Sequence, residues 1–166
     1  KPTSNICTAQ VLLAVMASMY AVYHGPKGLR AIARRVQQMT ATLAVALEDL
    51  GYTIVDQVYF DTLRIEVSKK WSAHELLQEA IARGINLRLI DSDTVGLSLD
   101  ETTTTADLAV LLEVFGKGEE PGRIAHVKTI TTRTDFPESL RRTSEYLTHP
   151  VFNTHRTETE MLPYIR

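Results

Sequence analysis

From residue 8 to 23 the chain is apolar almost all round. Val11, Leu12, Leu13, Val15, Met16, Met19, Tyr20 and Val22 leave no polar face. A helix of that kind is buried inside a body larger than itself. His24-Gly25-Pro26 ends it, since glycine accepts the C-terminal turn and proline cannot continue the ladder. From Lys27 to Leu50 the pattern changes. Leu29, Ile32, Ala33, Val36, Met39, Leu43, Leu47 and Leu50 recur every third or fourth position, with Arg30, Arg34, Arg35, Gln37 and Gln38 between them. This predicts an amphipathic helix that Gly51 stops.

Strict alternation in Leu63-Arg64-Ile65-Glu66-Val67 predicts a half-buried strand. Ser72-Ala73-His74-Glu75 has capping-box spacing, and Leu76, Leu77, Ala80 and Ile81 give the helix behind it an apolar face that Gly84 closes. Strands are expected over 86–90 and 95–99, with Asp91-Ser92-Asp93 as the turn. A helix follows from about Thr105 to Phe115, capped by Thr104 or Thr105, with Leu108, Leu111, Leu112 and Phe115 as its buried stripe. Burying each of those is worth about 2 kcal/mol, against about 1 kcal/mol for the cap. Packing holds this helix and the threonines set its start. Short strands interleaved with amphipathic helices predict an α+β layer, a small antiparallel sheet covered on one face. Residues 118 to 135 are polar, with Pro121 and Gly122, and read as an extended linker. A last short helix begins near Thr157, where Glu158 and Glu160 supply an acidic first turn.

Charge adds mainly exclusions. With 166 residues and net charge -2, the chain has no basic footprint for nucleic acid. Its longest apolar stretch, Val11 to Val22, is shorter than the roughly 20 residues that span a bilayer, so no membrane partner is expected. The single cysteine, Cys7, excludes an intramolecular disulfide framework and fits a reducing compartment. No phosphate loop, nucleophile elbow or metal-ligand spacing is present, so no metal is expected. Of the 6 lysines (Lys1, Lys27, Lys69, Lys70, Lys117 and Lys128), none has the desolvated setting of a Schiff-base residue. Lys128, in His126-Val127-Lys128-Thr129, reads as a solvated side chain in the linker.

Three ordered stretches carry a resemblance. They are Thr3-Ser4-Asn5-Ile6-Cys7-Thr8-Ala9-Gln10 running on to Met19-Tyr20-Ala21-Val22-Tyr23-His24-Gly25-Pro26, then Leu97-Ser98-Leu99-Asp100-Glu101-Thr102-Thr103-Thr104, and finally Leu147-Thr148-His149-Pro150-Val151-Phe152-Asn153 into Glu158-Thr159-Glu160-Met161. Together they resemble the glycine dehydrogenase (decarboxylating) family, the P-protein of the glycine cleavage system. The resemblance implies a segment at the end of the N-terminal half of a fold type I pyridoxal-phosphate enzyme. Residues 1–26 would be a buried linking helix from the large domain, 27–117 the small α+β domain, and 118–166 a linker and short helix toward the C-terminal half.

It further implies glycine decarboxylation and aminomethyl transfer to the lipoyl H-protein. Expected partners are the rest of the P-protein, in a homodimer or α2β2 assembly, in cytoplasm or mitochondrial matrix. The pyridoxal-phosphate lysine would lie outside this chain, which would hold no catalytic residue and be inactive alone. Ser4, Asn5, Thr148, His149 and Glu158 would line the active-site region or fasten the two halves together. His155 and Pro163 depart from the family pattern, and Pro163 is expected to disturb the terminal helix. The competing reading is an ACT-like amino-acid-binding regulatory module. A second alternative is the C-terminal domain of an aminotransferase-like enzyme, with Arg88 holding a substrate carboxylate.

Overall fold

The structure, a computed structural model, describes residues 9–68, 70–116 and 137–166. They form α1 (Ala9–Asp49), β1 (Thr53–Ile54), β2 (Thr62–Glu66), α2 (Ala73–Ala82), β3 (Arg88–Leu89), β4 (Thr94–Ser98), α3 (Thr105–Gly116), a 3-10 turn (Glu138–Leu140), α4 (Val151–Thr154) and α5 (Glu158–Ile165). The polar linker read at 118–135 and the stretch around Lys128 fall outside the described residues. Two compact units result: Lys1–Ile32 with Arg142–Arg166, and Ala33–Arg141.

The larger unit is the expected α+β layer. Its sheet is antiparallel throughout, in the order β1-β2-β4-β3. β2 and β4 register Leu63 against Leu97 and Ile65 against Val95. All four side chains are buried on one face, and Thr62, Arg64 and Ser98 stay exposed on the other. Met39, Leu43 and Leu47 of α1, Leu76 and Ala80 of α2, and Leu108, Leu112 and Phe115 of α3 complete that core. Strand alternation and helical periodicity thus meet on one apolar surface.

β1 is the one strand the alternation does not reveal. Its 2 residues are too few for a period, and pairing of Thr53 with Glu66 and Ile54 with Ile65 defines it instead. Polar groups close the unit. Tyr52 donates its phenol hydrogen to the Phe115 carbonyl at 2.5 Å, one of the acceptors that the C-terminus of α3 leaves open. Arg35 donates to the carbonyls of Glu101 at 3.0 Å and Thr103 at 2.6 Å. Asp100 accepts from the backbone amides of Thr102 and Thr103, so the Asp100 to Thr104 run is a turn leading into α3. Both expected glycine stops, Gly51 and Gly84, have positive φ.

The smaller unit holds α1 as far as Ile32, together with α4 and α5. Here α4 is an addition to the expected tail. Pro163 lies inside α5, which nevertheless continues to Ile165. The reason is local: proline removes one i→i−4 bond, and only two helical residues follow it.

Candidate functional site

Within α1, Gly25 has φ 58° and ψ -175°, so the helix breaks where His24-Gly25-Pro26 predicts. A break leaves the carbonyls before it without helical donors. Arg156 supplies them: its Nη1 donates to Val22 O at 3.0 Å and Tyr23 O at 3.3 Å, and its Nη2 to Phe152 O. The guanidinium fills the space above Gly25 so closely that a Cβ there would lie 1.9 Å from Nη1. On the far side of the break Tyr146 donates to Pro26 O at 2.6 Å. The guanidinium carbons of Arg142 and Arg30 lie 5.2 and 6.0 Å from the Tyr146 ring, in cation–π range.

Arg156 is itself held from behind. Thr157 caps α5 in a full capping box with Glu160. The Glu160 carboxylate accepts from the Arg156 amide at 2.8 Å and the Thr157 amide at 3.1 Å. These bonds, the Arg156 amide foremost, hold the Glu160 carboxyl below its ordinary pKa. His155 bonds the Glu160 carbonyl through Nδ1 at 3.1 Å and stacks on Tyr164, with ring centroids 4.7 Å apart.

The kink and the capped helix border an open cleft of about 420 Å³, lined by Met16, Met19, Tyr20, Tyr23, His24, Glu158 and Met161. Its walls are thioether and aromatic. Its only ionisable groups besides the tyrosines are the His24 imidazole, 4.3 Å from the Tyr20 ring centroid, and the Glu158 carboxylate. Such a surface suits an apolar group bearing one hydrogen-bonding or cationic end.

Of the residues expected from the sequence, Ser4 and Asn5 lie outside the described residues, and Glu158 lines the cleft. Thr148 and His149 are exposed ahead of α4. His149 accepts the Val151 amide on Nδ1 at 3.2 Å, and its carbonyl accepts from Asn153 Nδ2 at 3.1 Å. Asn153 also reaches Leu147 O at 3.0 Å, where Leu147 has a φ of 51°. The Leu-Thr-His-Pro-Val-Phe-Asn motif is therefore a self-bonded turn. Arg88 is exposed on β3. Arg156 and Tyr146 escaped the sequence reading, because an arginine and a tyrosine in a polar tail carry no periodic signal. Gly25-Pro26 was the visible half of the device.

A Schiff-base cofactor needs a lysine aimed into a cleft. The described lysines are Lys27, which is exposed, and Lys70, whose Nζ stands 5.5 Å from the Tyr52 ring centroid. Neither lines a cleft described here, so the described residues do not fit pyridoxal phosphate. Among them no group of His, Cys, Asp and Glu could hold a metal ion, and no helix is long and apolar enough to cross a membrane.

The family described as glycine cleavage system P-protein matches residues 1–115. Glycine dehydrogenase (decarboxylating) of Cupriavidus metallidurans is 52% identical over 166 residues, covering 100% of this chain and 17% of that protein. Its namesake from a Nostoc species is 51% identical over 169 residues, with 99% and 17% covered. That of Xanthomonas oryzae is 53% identical over 168 residues, with 100% and 16% covered. Among solved structures a NifS-like protein aligns with 63% of this chain and 30% of its own, at 16% identity and a TM-score of 0.45. The chain belongs to the glycine cleavage system P-protein family, and it spans about 17% of the length of the relatives it matches.

Proposed function

We propose that this chain is a structural segment of a glycine decarboxylase. The whole protein would release the carboxylate of glycine as carbon dioxide and pass the aminomethyl group to the lipoyl arm of H-protein. Pyridoxal phosphate, held by a lysine elsewhere in the polypeptide, would supply the electron sink. The observation that carries this reading is identity of about half, over the entire chain, to relatives named for the decarboxylation. Membership of fold type I, with 27–117 as its small domain, and assembly as a homodimer or α2β2 belong to the same proposal.

The segment's own part is positioning. Leu12 and Leu13 are 62% and 65% exposed, and Val15 and Met16 at least half. These side chains, on one flank of α1, would be covered in a larger body, where the rest of the polypeptide packs. Residues 1–26 would then link the large domain, and 118–166 would run toward the C-terminal half. Glu158 would face that junction from the cleft, with Ser4, Asn5, Thr148 and His149 beside the active-site region or fastening the halves.

The test is glycine–bicarbonate exchange in the presence of H-protein. The parent enzyme lacking residues 1–166 of this chain should be inactive, and adding the chain back should restore exchange. Undiminished exchange without the segment, or no rescue by a folded chain that binds the remainder, would refute the structural role.

A further inference from the structure

A cleft of about 330 Å³ opens in the larger unit where β3 parts from β4. Antiparallel strands exchange hydrogen bonds at every second residue pair. Between β3 and β4 those pairs are Ile90 with Thr94, where the amide meets the carbonyl at 3.1 Å, and Arg88 with Gly96. The next in the series is Asn86 with Ser98, and the ladder stops short of it: no backbone hydrogen bond joins these two residues. Leu99 donates to Asp61 O at 2.9 Å on the β2 side. The amide and carbonyl of Ser98, one residue back, therefore point the other way, toward Asn86.

The end of α2 builds this gap. Gly84, at φ 74°, and Ile85 return their amides to Ile81 O and Ala80 O, each at 2.9 Å, which is the Schellman closure of a helix. The chain is thereby tied to α2 as far as Ile85, and it joins β4 only at Arg88.

Two kinds of surface meet in the opening. Each strand presents one N–H and one C=O that the ladder leaves open. Behind them the wall is apolar. Leu97, Leu99 and Leu111 line the cleft although they are only 4, 7 and 5% exposed, and Val110 beside them is half-buried. The charges on the rim are already engaged. Arg83 pairs with Glu79 at 2.9 Å and Glu113 at 3.0 Å, and Asp107 accepts from the amide and hydroxyl of Thr104. A charged ligand finds no free counter-charge here. A neutral head that both donates and accepts matches the open pair, and the volume lies in the range of small-molecule sites.

We infer that this cleft binds a small uncharged amide with a short apolar body. The ligand's carbonyl accepts from one of the Asn86 and Ser98 amides, its amino group donates to one of their carbonyls, and its hydrocarbon lies against Leu97, Leu99 and Leu111.

The experiment titrates the full-length protein that carries this segment with isovaleramide by calorimetry. Methyl isobutyl ketone, which has the same shape with a methyl in place of the amino group, is titrated separately. Both titrations are repeated on Asn86→Pro, which removes the amide hydrogen facing Ser98, and on Val110→Trp, which fills the cleft. Thermal unfolding shows whether each variant is folded. The amide should bind saturably. Binding should be about three- to tenfold weaker for the ketone and in Asn86→Pro, as loss of one neutral hydrogen bond predicts, and should vanish in Val110→Trp. Absence of amide binding overturns the inference. Equal affinity for amide and ketone also overturns it, because the open pair then contributes nothing. So does binding that neither variant weakens. Asn86 is exposed and lies ahead of β3, so its variant and the ketone comparison decide the matter even where Val110→Trp fails to fold.

Discussion

At position 25 a methyl group would meet Arg156 Nη1 at 1.9 Å, and the backbone there already has a φ of 58°. Two separate penalties therefore guard one glycine. Left-handed backbone alone costs a residue with a Cβ about 1–2 kcal/mol, and the clash adds to it. Gly25→Ala should lower the urea midpoint of the smaller unit more than this strain predicts. Arg156→Ala, which strips the donors from the Val22 and Tyr23 carbonyls, should cost about 2 kcal/mol. The two changes should not add. With the guanidinium gone, Gly25→Ala should cost only the backbone strain. A double-mutant cycle read by urea unfolding checks this, and strict additivity would show that the two residues do not share the space.

At the scale of elements, caps rather than propensity fix where helices begin. Ser72–Glu75, Thr104–Asp107 and Thr157–Glu160 repeat one arrangement, in which a hydroxyl accepts the amide three residues on and the carboxylate returns to the cap amide. Two of these carboxylates have depressed pKa values: Glu160 chiefly through the Arg156 amide, and Asp107 chiefly through the Thr104 hydroxyl. A depressed folded pKa gives stability that is fully present above the unfolded value and lost as pH falls through the folded one. Amide protection at Arg156 and Thr157 should therefore hold above pH 4.5, the ordinary glutamate value, and decline below it. Asp107 should behave likewise below 3.8. Hydrogen exchange followed against pH measures both, and Glu160→Gln should remove the decline at α5 alone. Thr157→Ala should weaken the same helix by about 1 kcal/mol. Glycine stops, alternation and capping spacing were all readable along the chain, because each is a local rule that neighbouring residues obey together. β1 and α4 were not, since 2 and 4 residues span about one period each and cannot show a repeat.

For the molecule as a whole, the contrast lies between the core of the larger unit and the bare flank of α1. Leu63 is fully buried in the sheet, and Leu63→Ala should destabilise by about 2–5 kcal/mol in the chain or its parent alike. Leu13, 65% exposed, should behave oppositely in the two settings. Leu13→Glu should leave unfolding of the chain nearly unchanged and reduce its self-association in sedimentation, yet lower the melting temperature of the full-length protein. An equal effect in both would show that α1 has no partner outside the chain. The sequence by itself determined the α+β layer, its core faces, its helix limits and its family, because periodicity, capping and motif order are written in consecutive residues. Only the tertiary structure decided that Arg156 seals the break at Gly25 and that Glu158 shares a cleft with His24. Those facts depend on groups up to 134 positions apart in the chain meeting within hydrogen-bond reach, a proximity that no local pattern encodes.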